Sequence, residues 1–189
     1  FRSGYDDVGM FEAVARDRGI AMDPRHVGEL VTRKGVVLQE LLQRGAILFP
    51  GAIEFIRAAA AEVPIAIASG ALRHEIVEVI EAAGVRDLFT AIVAAGDTPE
   101  SKPSPAPYVR AFEQLREQAG RALHAHRCVA IEDSRWGLES ARGAGLRCVG
   151  VTNSYGADEL TGAELTVSGL NTLTMGALEE LCAKTSLMP

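Results

Sequence analysis

The sequence predicts an α/β fold, a doubly wound parallel-sheet core carrying a small all-helical cap. Three observations carry this expectation. From Pro64 onward, short apolar runs alternate strictly with stretches of helical period, the pattern of a parallel sheet with helices on both faces. Ahead of Leu48, only helical periodicity occurs. Polar residues suited to chemistry fall where the apolar runs end, the edge of an open α/β sheet at which ligands bind.

The 189 residues suffice for one full hydrophobic core, or for a core with a modest insertion. A hydrophobic fraction of 48% against 23% charged, with 19 Gly and 8 Pro spread along the chain, excludes disordered, collagen-like and low-complexity classes. No segment repeats at a fixed period. The net charge of -6 disfavours a nucleic-acid or membrane surface, because binding by counterion release needs clustered Lys and Arg. Cys128, Cys148 and Cys182 are odd in number and form no Cys-x-x-Cys pair, so reduced thiols in a cytoplasmic protein are expected rather than a disulfide or zinc scaffold. No apolar run approaches the roughly 20 residues of a membrane span, and no basic-then-apolar signal segment opens the chain, whose first residue is Phe1.

Val8, Phe11, Val14 and Ala15 recur at helical spacing between Tyr5 and Arg18, and Gly19 is a natural stop. Asp23-Pro24 reads as N-cap and first helical residue, and Val27, Leu30, Val31, Leu38, Leu41 and Leu42 continue an apolar stripe to Gly45, with a break expected near Gly35. Residues 1–46 are therefore expected as a helical cap and 47–189 as the core. After Pro50-Gly51 comes a helix over Ala52 to Glu62, then the continuous apolar run Pro64 to Ala68, as in strands buried on both faces. Helix Arg73 to Ala83 ends at Gly84. Thr90 to Ala94 is a strand, and Ser104-Pro105 starts a helix to about Gln118. Cys128 to Ile131 and Leu146 to Val151 are further strands. Between them Ser134 caps a helix that Gly143 and Gly145 close. A short strand at Leu165 to Val167 and a helix from Leu173 to Ala183 complete the pattern.

Three strand ends carry matching chemistry. Ser69-Gly70 offers a hydroxyl and a permissive backbone at the start of a helix, where free N–H groups favour an anion, although Ser-Gly is also a common turn dipeptide. Lys102 lies in Ser101-Lys102-Pro103-Ser104-Pro105, where prolines stiffen a loop that would otherwise leave it a solvated lysine. Glu132-Asp133 places two acids at one strand tip, where they repel unless a cation or proton intervenes, so a hard metal such as Mg²⁺ is expected; alone, they read equally as helix N-terminal acids. Together these groups suit phosphoryl transfer.

Ile67-Ala68-Ser69-Gly70, Lys102-Pro103-Ser104-Pro105 and Ile131-Glu132-Asp133-Ser134 through Gly137 resemble, in order and spacing, the second, third and fourth motifs of the haloacid dehalogenase superfamily, in its branch with a small helical cap that includes β-phosphoglucomutase-like and sugar-phosphate phosphatases. The resemblance covers essentially the whole chain and implies a Rossmannoid core. It implies that Ser69, Gly70 and Lys102 bind the transferring phosphate, that Lys102 also stabilises the nucleophile, and that Asp133 with Glu132 anchors Mg²⁺. A small phosphorylated metabolite is the expected partner, with no nucleic acid or membrane, on a monomer or weak homodimer.

One motif is missing. The family's first motif, an apolar strand ending in Asp-x-Asp, supplies nucleophile and general acid/base, and no Asp-x-Asp occurs in this chain. Asp6-Asp7 is adjacent rather than alternate and opens an amphipathic helix. In the family that strand lies between the one ending at Ser69 and the one ending at Asp133. Without it, two rows of backbone groups go unpaired around a slot, so an N-terminal strand outside this sequence, or another segment, is expected to fill it.

Arg33 and Lys34 in the cap and Arg73 after the serine motif are candidate substrate contacts, with a solvated helix face as their alternative. His124 and His126 read as surface residues and Trp136 as packing at a helix start. The expected function is Mg²⁺-dependent hydrolysis of a phosphate monoester through a phospho-aspartate. Alternatives are a phosphomutase, a catalytically inactive relative that binds without turnover, and a metal-independent dehalogenase, against which the paired acids speak.

Overall fold

The computed structural model describes residues 7–45, 48–119 and 122–183. The expected cap boundary at 46/47 and Asp6 lie outside them. The first helix, α1 (Asp7–Asp17), packs on α2 (Pro24–Gln43). Asp23 caps α2 by accepting the His26 N–H at 2.9 Å, and Pro24 supplies the first helical φ. The break expected near Gly35 is absent: α2 runs unbroken, because a lone glycine lowers helix propensity by only about 1 kcal/mol and the flanking stripe continues.

Core elements follow in order: α3 (Ala52–Glu62), β1 (Ile65–Ala68), α4 (Arg73–Ala82), β2 (Phe89–Val93), α5 (Ala106–Ala119), β3 (Val129–Glu132), α6 (Arg135–Gly143), β4 (Arg147–Val151), β5 (Leu165–Val167) and α7 (Met175–Ala183). Gly51 caps α3 at φ 81°, and a Cβ there would fall 2.6 Å from Asn171, so both backbone and packing demand glycine. The α5 helix begins two residues later than the Ser104 start expected, because Ser104 turns back on Ser101 and its Oγ accepts the Ala106 N–H at 3.3 Å.

Among the described residues all strand pairs are parallel, but they form two sheets: β1 with β2, and β3-β4-β5. Adjacent residues send their side chains to opposite faces. Cys148 joins a core with Tyr108, Leu138 and Ala141 of α5 and α6, while Val149 joins another with Leu181 of α7 and Phe55 of α3. Helices therefore cover both faces, as a doubly wound core requires. A third cluster, Ile76, Ile80, Val85 and Ile92, seats α4 on β2, each such side chain contributing about 1.5–3 kcal/mol by burial.

Among the described residues no strand lies between β1 and β3. A cavity of about 1420 Å³ opens there, bordered by Ile65–Ala68 on one side and Val129–Glu132 on the other. Helix α3 spans it, with Ile53 and Ile56 in the β2-side core and Phe55 in the β4-side core. Helix α5 does the same, packing on β1 and β2 while Tyr108 packs with Ala130 of β3. The expectation that another segment fills the slot is not met within the described residues.

Candidate active site

Ser69, Gly70, Lys102, Glu132 and Asp133 all line this one cavity, so the C-terminal ends of β1 and β3 and the loop before α5 converge as the spacing predicts. A second hollow of about 220 Å³ continues from Ser69, Gly70 and Lys102 to Ala94, Ala95 and Gly96 at the end of β2.

Ser69 directly follows β1, its N–H donating to Val93 O at 2.9 Å, and its Oγ accepts the Ala71 N–H at 3.1 Å. Helix α4 starts only at Arg73, so Ser69-Gly70 sits on a tight turn ahead of the helix rather than at its first residue. Lys102 reaches across the sheet gap. Its Nζ donates to Ala68 O at 2.9 Å and to Glu132 Oε1, and lies 4.9 Å from the centre of the Tyr108 ring. An ammonium carries three N–H donors, so two are spent and the third can meet a phosphate oxygen.

Glu132, 9% exposed, also accepts the Tyr108 hydroxyl on Oε1 at 2.6 Å, and the Ser134 hydroxyl lies 3.5 Å from Oε2. The start of α6 is cut away to admit this carboxylate: a Cβ on Gly137 would lie 2.0 Å from Oε2. Burial first, and then the Glu132 charge, hold the Tyr108 phenol well above its ordinary range, so it remains a donor. Asp133 Oδ2 accepts the Ser154 hydroxyl at 2.5 Å, from the loop after β4. The cation that separates the two acids is thus already present for Glu132, as Lys102. Ser134 caps α6 by accepting the Gly137 N–H at 3.1 Å.

Asp133 fits Mg²⁺ by donor chemistry, since that ion takes hard oxygen ligands and commonly only one or two carboxylates, the remainder being water and phosphate; Glu132 can add only Oε2, because Oε1 already accepts from Lys102 and Tyr108. No cluster of three or more His, Cys, Asp or Glu suited to a metal exists among the described residues.

The remaining candidates lie off the cavity. Lys34 Nζ donates to Asp7 Oδ2 at 2.6 Å and to Glu75 Oε2 at 2.9 Å, tying α1 and α2 to α4. Glu75, 2% exposed, also accepts the Leu72 N–H at 3.2 Å. Arg33 is exposed on α2. Arg73 donates to Ile92 O at 2.9 Å and to Asp97 Oδ2 at 2.5 Å, bracing the loop after β2. His124 and His126 stack at 5.5 Å, and Trp136 meets Tyr155 edge-on. The cysteines are free; burial pushes the Cys128 thiol up to about 11 and Cys148 up to about 12, leaving both poor nucleophiles. Sequence reasoning missed Tyr108 and Ser154. A helical tyrosine six residues after Lys102 carries no motif, and only the fold aims its hydroxyl at Glu132.

Residues 11–145 match the haloacid dehalogenase-like hydrolase family, and the chain belongs to it. Protein CbbY of Rhodobacter capsulatus is 34% identical over 190 residues, covering 96% of this chain and 81% of the relative. Among solved structures, a mutant of CbbY from Rhodobacter sphaeroides in complex with xylulose-(1,5)bisphosphate superposes with a TM-score of 0.71 at 29% identity, covering 84% of this chain and 71% of that one. The β-phosphoglucomutase of Clostridium difficile, at 20% identity and a TM-score of 0.78 over 95% of this chain and 78% of its own, shares the fold. No helix among the described residues is long and apolar enough to cross a membrane.

Proposed function

We propose that the protein is a phosphatase acting on a small, sugar-phosphate-like monoester in the cytoplasm, as a monomer or weak homodimer. The observation that carries this reading is the convergence of Ser69, Lys102, Glu132 and Asp133 on one cavity at the strand ends. Its support from relatives is the similarity to CbbY, one of whose solved structures holds a sugar bisphosphate. The Ser69 hydroxyl, the amides of the following turn and the third Lys102 N–H hold the phosphate oxygens. Asp133, with Glu132 beside it, holds Mg²⁺, which when bound offsets charge on the phosphoryl group.

The nucleophile is an aspartate on a strand seated in the cavity between β1 and β3, where both neighbouring edges offer backbone partners. Its carboxylate oxygen bonds to phosphorus as the ester P–O bond breaks, and the leaving alcohol takes its proton from the second aspartate of the Asp-x-Asp motif that the family carries on that strand; the same carboxylate then takes a proton from water, which attacks phosphorus, releasing phosphate and restoring the nucleophile. A panel of phosphate monoesters, with protein expressed from its complete reading frame, tests the reading. Stoichiometric release of inorganic phosphate is expected. An isomerised sugar phosphate without release would make the protein a mutase, and binding without turnover would make it an inactive relative.

A further inference from the structure

We infer that Tyr108 is a positioning residue of this centre: its hydroxyl fixes the Glu132 carboxylate while its ring seats the Lys102 ammonium. The inference rests on the phosphotransfer reading above and adds a residue to it. Three observations carry it. The hydroxyl donates to Glu132 Oε1 at 2.6 Å, the same oxygen that takes the Lys102 ammonium, so Tyr108 and Lys102 together fix that oxygen and leave Oε2 turned toward Ser134 and the α6 start. The ring centre lies 4.9 Å from Lys102 Nζ, so one side chain touches both partners of the pair. The ring is itself immobilised, packed with Ala130, Leu138, Ala141, Cys148 and Leu160 in the core below the site. A carboxylate held at one oxygen by two donors has little rotational freedom, and removing one returns it.

The ring and the hydroxyl are separable. Tyr108→Phe keeps the core packing and the face under the ammonium, and loses only the bond to Glu132. Tyr108→Leu loses both. With protein from the complete reading frame, Mg²⁺ binding and inorganic phosphate binding are measured by calorimetry, which needs no turnover. Tyr108→Phe should weaken Mg²⁺ by about 10- to 100-fold, the range for residues that orient metal-holding carboxylates, with phosphate affinity in saturating Mg²⁺ near wild type. Tyr108→Leu should weaken both. In a Glu132→Gln background, Tyr108→Phe should have no further effect on Mg²⁺.

Wild-type Mg²⁺ affinity in Tyr108→Phe, with only a lower melting temperature, would overturn the inference, as would an equal loss in both backgrounds. Failure of the phosphatase reading has a different signature: the wild-type protein releases no phosphate whatever the calorimetry shows.

Discussion

Glu132, at the end of β3, receives the ammonium of Lys102 from the loop that joins β2 of the other sheet to α5. Both side chains are largely buried, so the pair matters for stability. Replacing one member of such a pair leaves an uncompensated charge, at a cost of about 3–5 kcal/mol.

Lys102→Ala is therefore expected to lower stability by about 3 kcal/mol in Mg²⁺-free buffer and to abolish phosphate release. Adding Glu132→Gln should restore part of the stability and none of the activity. Urea denaturation of the single and double variants reads the first effect, and a phosphate assay the second.

Gly137→Ala tests the space cut for Glu132. With a Cβ 2.0 Å from Oε2, the carboxylate or the start of α6 must move, costing about 1–3 kcal/mol and a large share of activity. Gly176→Ala is the control: it sits in α7 with open space around its Cβ, and should be neutral or slightly stabilising. Equal melting temperatures for the two variants would contradict the placement of Glu132.

The elements were largely legible in the sequence because period and caps act locally. Asp23-Pro24, Ser134 and Gly145 stand at the helix ends where their chemistry put them, and each strand lies within a residue or so of its apolar run. The placement of Ser69, Glu132 and Asp133 at strand tips and of Lys102 in the Pro-braced loop after β2 was legible because each is fixed by its distance from an apolar run. What was not legible depends on packing. Tyr108 looks like any core tyrosine until α5 is laid across the sheets, and Lys34 reads as a substrate contact or a solvated cation until α4 brings the buried Glu75 beneath it.

Lys34 ties α1 and α2 to α4, and its pH dependence follows. Burial pulls its ammonium down, but hydrogen bonds to Asp7 and Glu75 together with their charges outweigh this and hold it above its ordinary 10.5. A raised folded-state value contributes stability fully present below 10.5 and lost as pH rises through the folded value. Lys34→Met should be less stable than wild type at pH 8, with the difference shrinking in strongly alkaline buffer and partly removed by Glu75→Gln. Thermal melts across pH read this. A rise in KM in Lys34→Met beyond that of the double variant would mark the lysine as a substrate contact as well.

Asp97 gives the opposite sign. The Ala94 N–H, and after it the Arg73 guanidinium, hold its carboxyl below the ordinary 3.8 despite some burial. Its contribution is present above the ordinary value and lost as pH falls through the lowered one. Asp97→Asn should cost about 1 kcal/mol or less at pH 7, and the deficit should vanish in acid. Urea midpoints at pH 7 and in strong acid provide the check.

The most direct test of the proposed phosphotransfer centre is inorganic phosphate release from sugar-phosphate monoesters, by protein from the complete reading frame, with Mg²⁺ and with a chelator, for wild type and Asp133→Asn. The predicted result is release that requires Mg²⁺ and falls by about two orders of magnitude or more in the variant. Release that survives both chelation and the substitution would contradict the account.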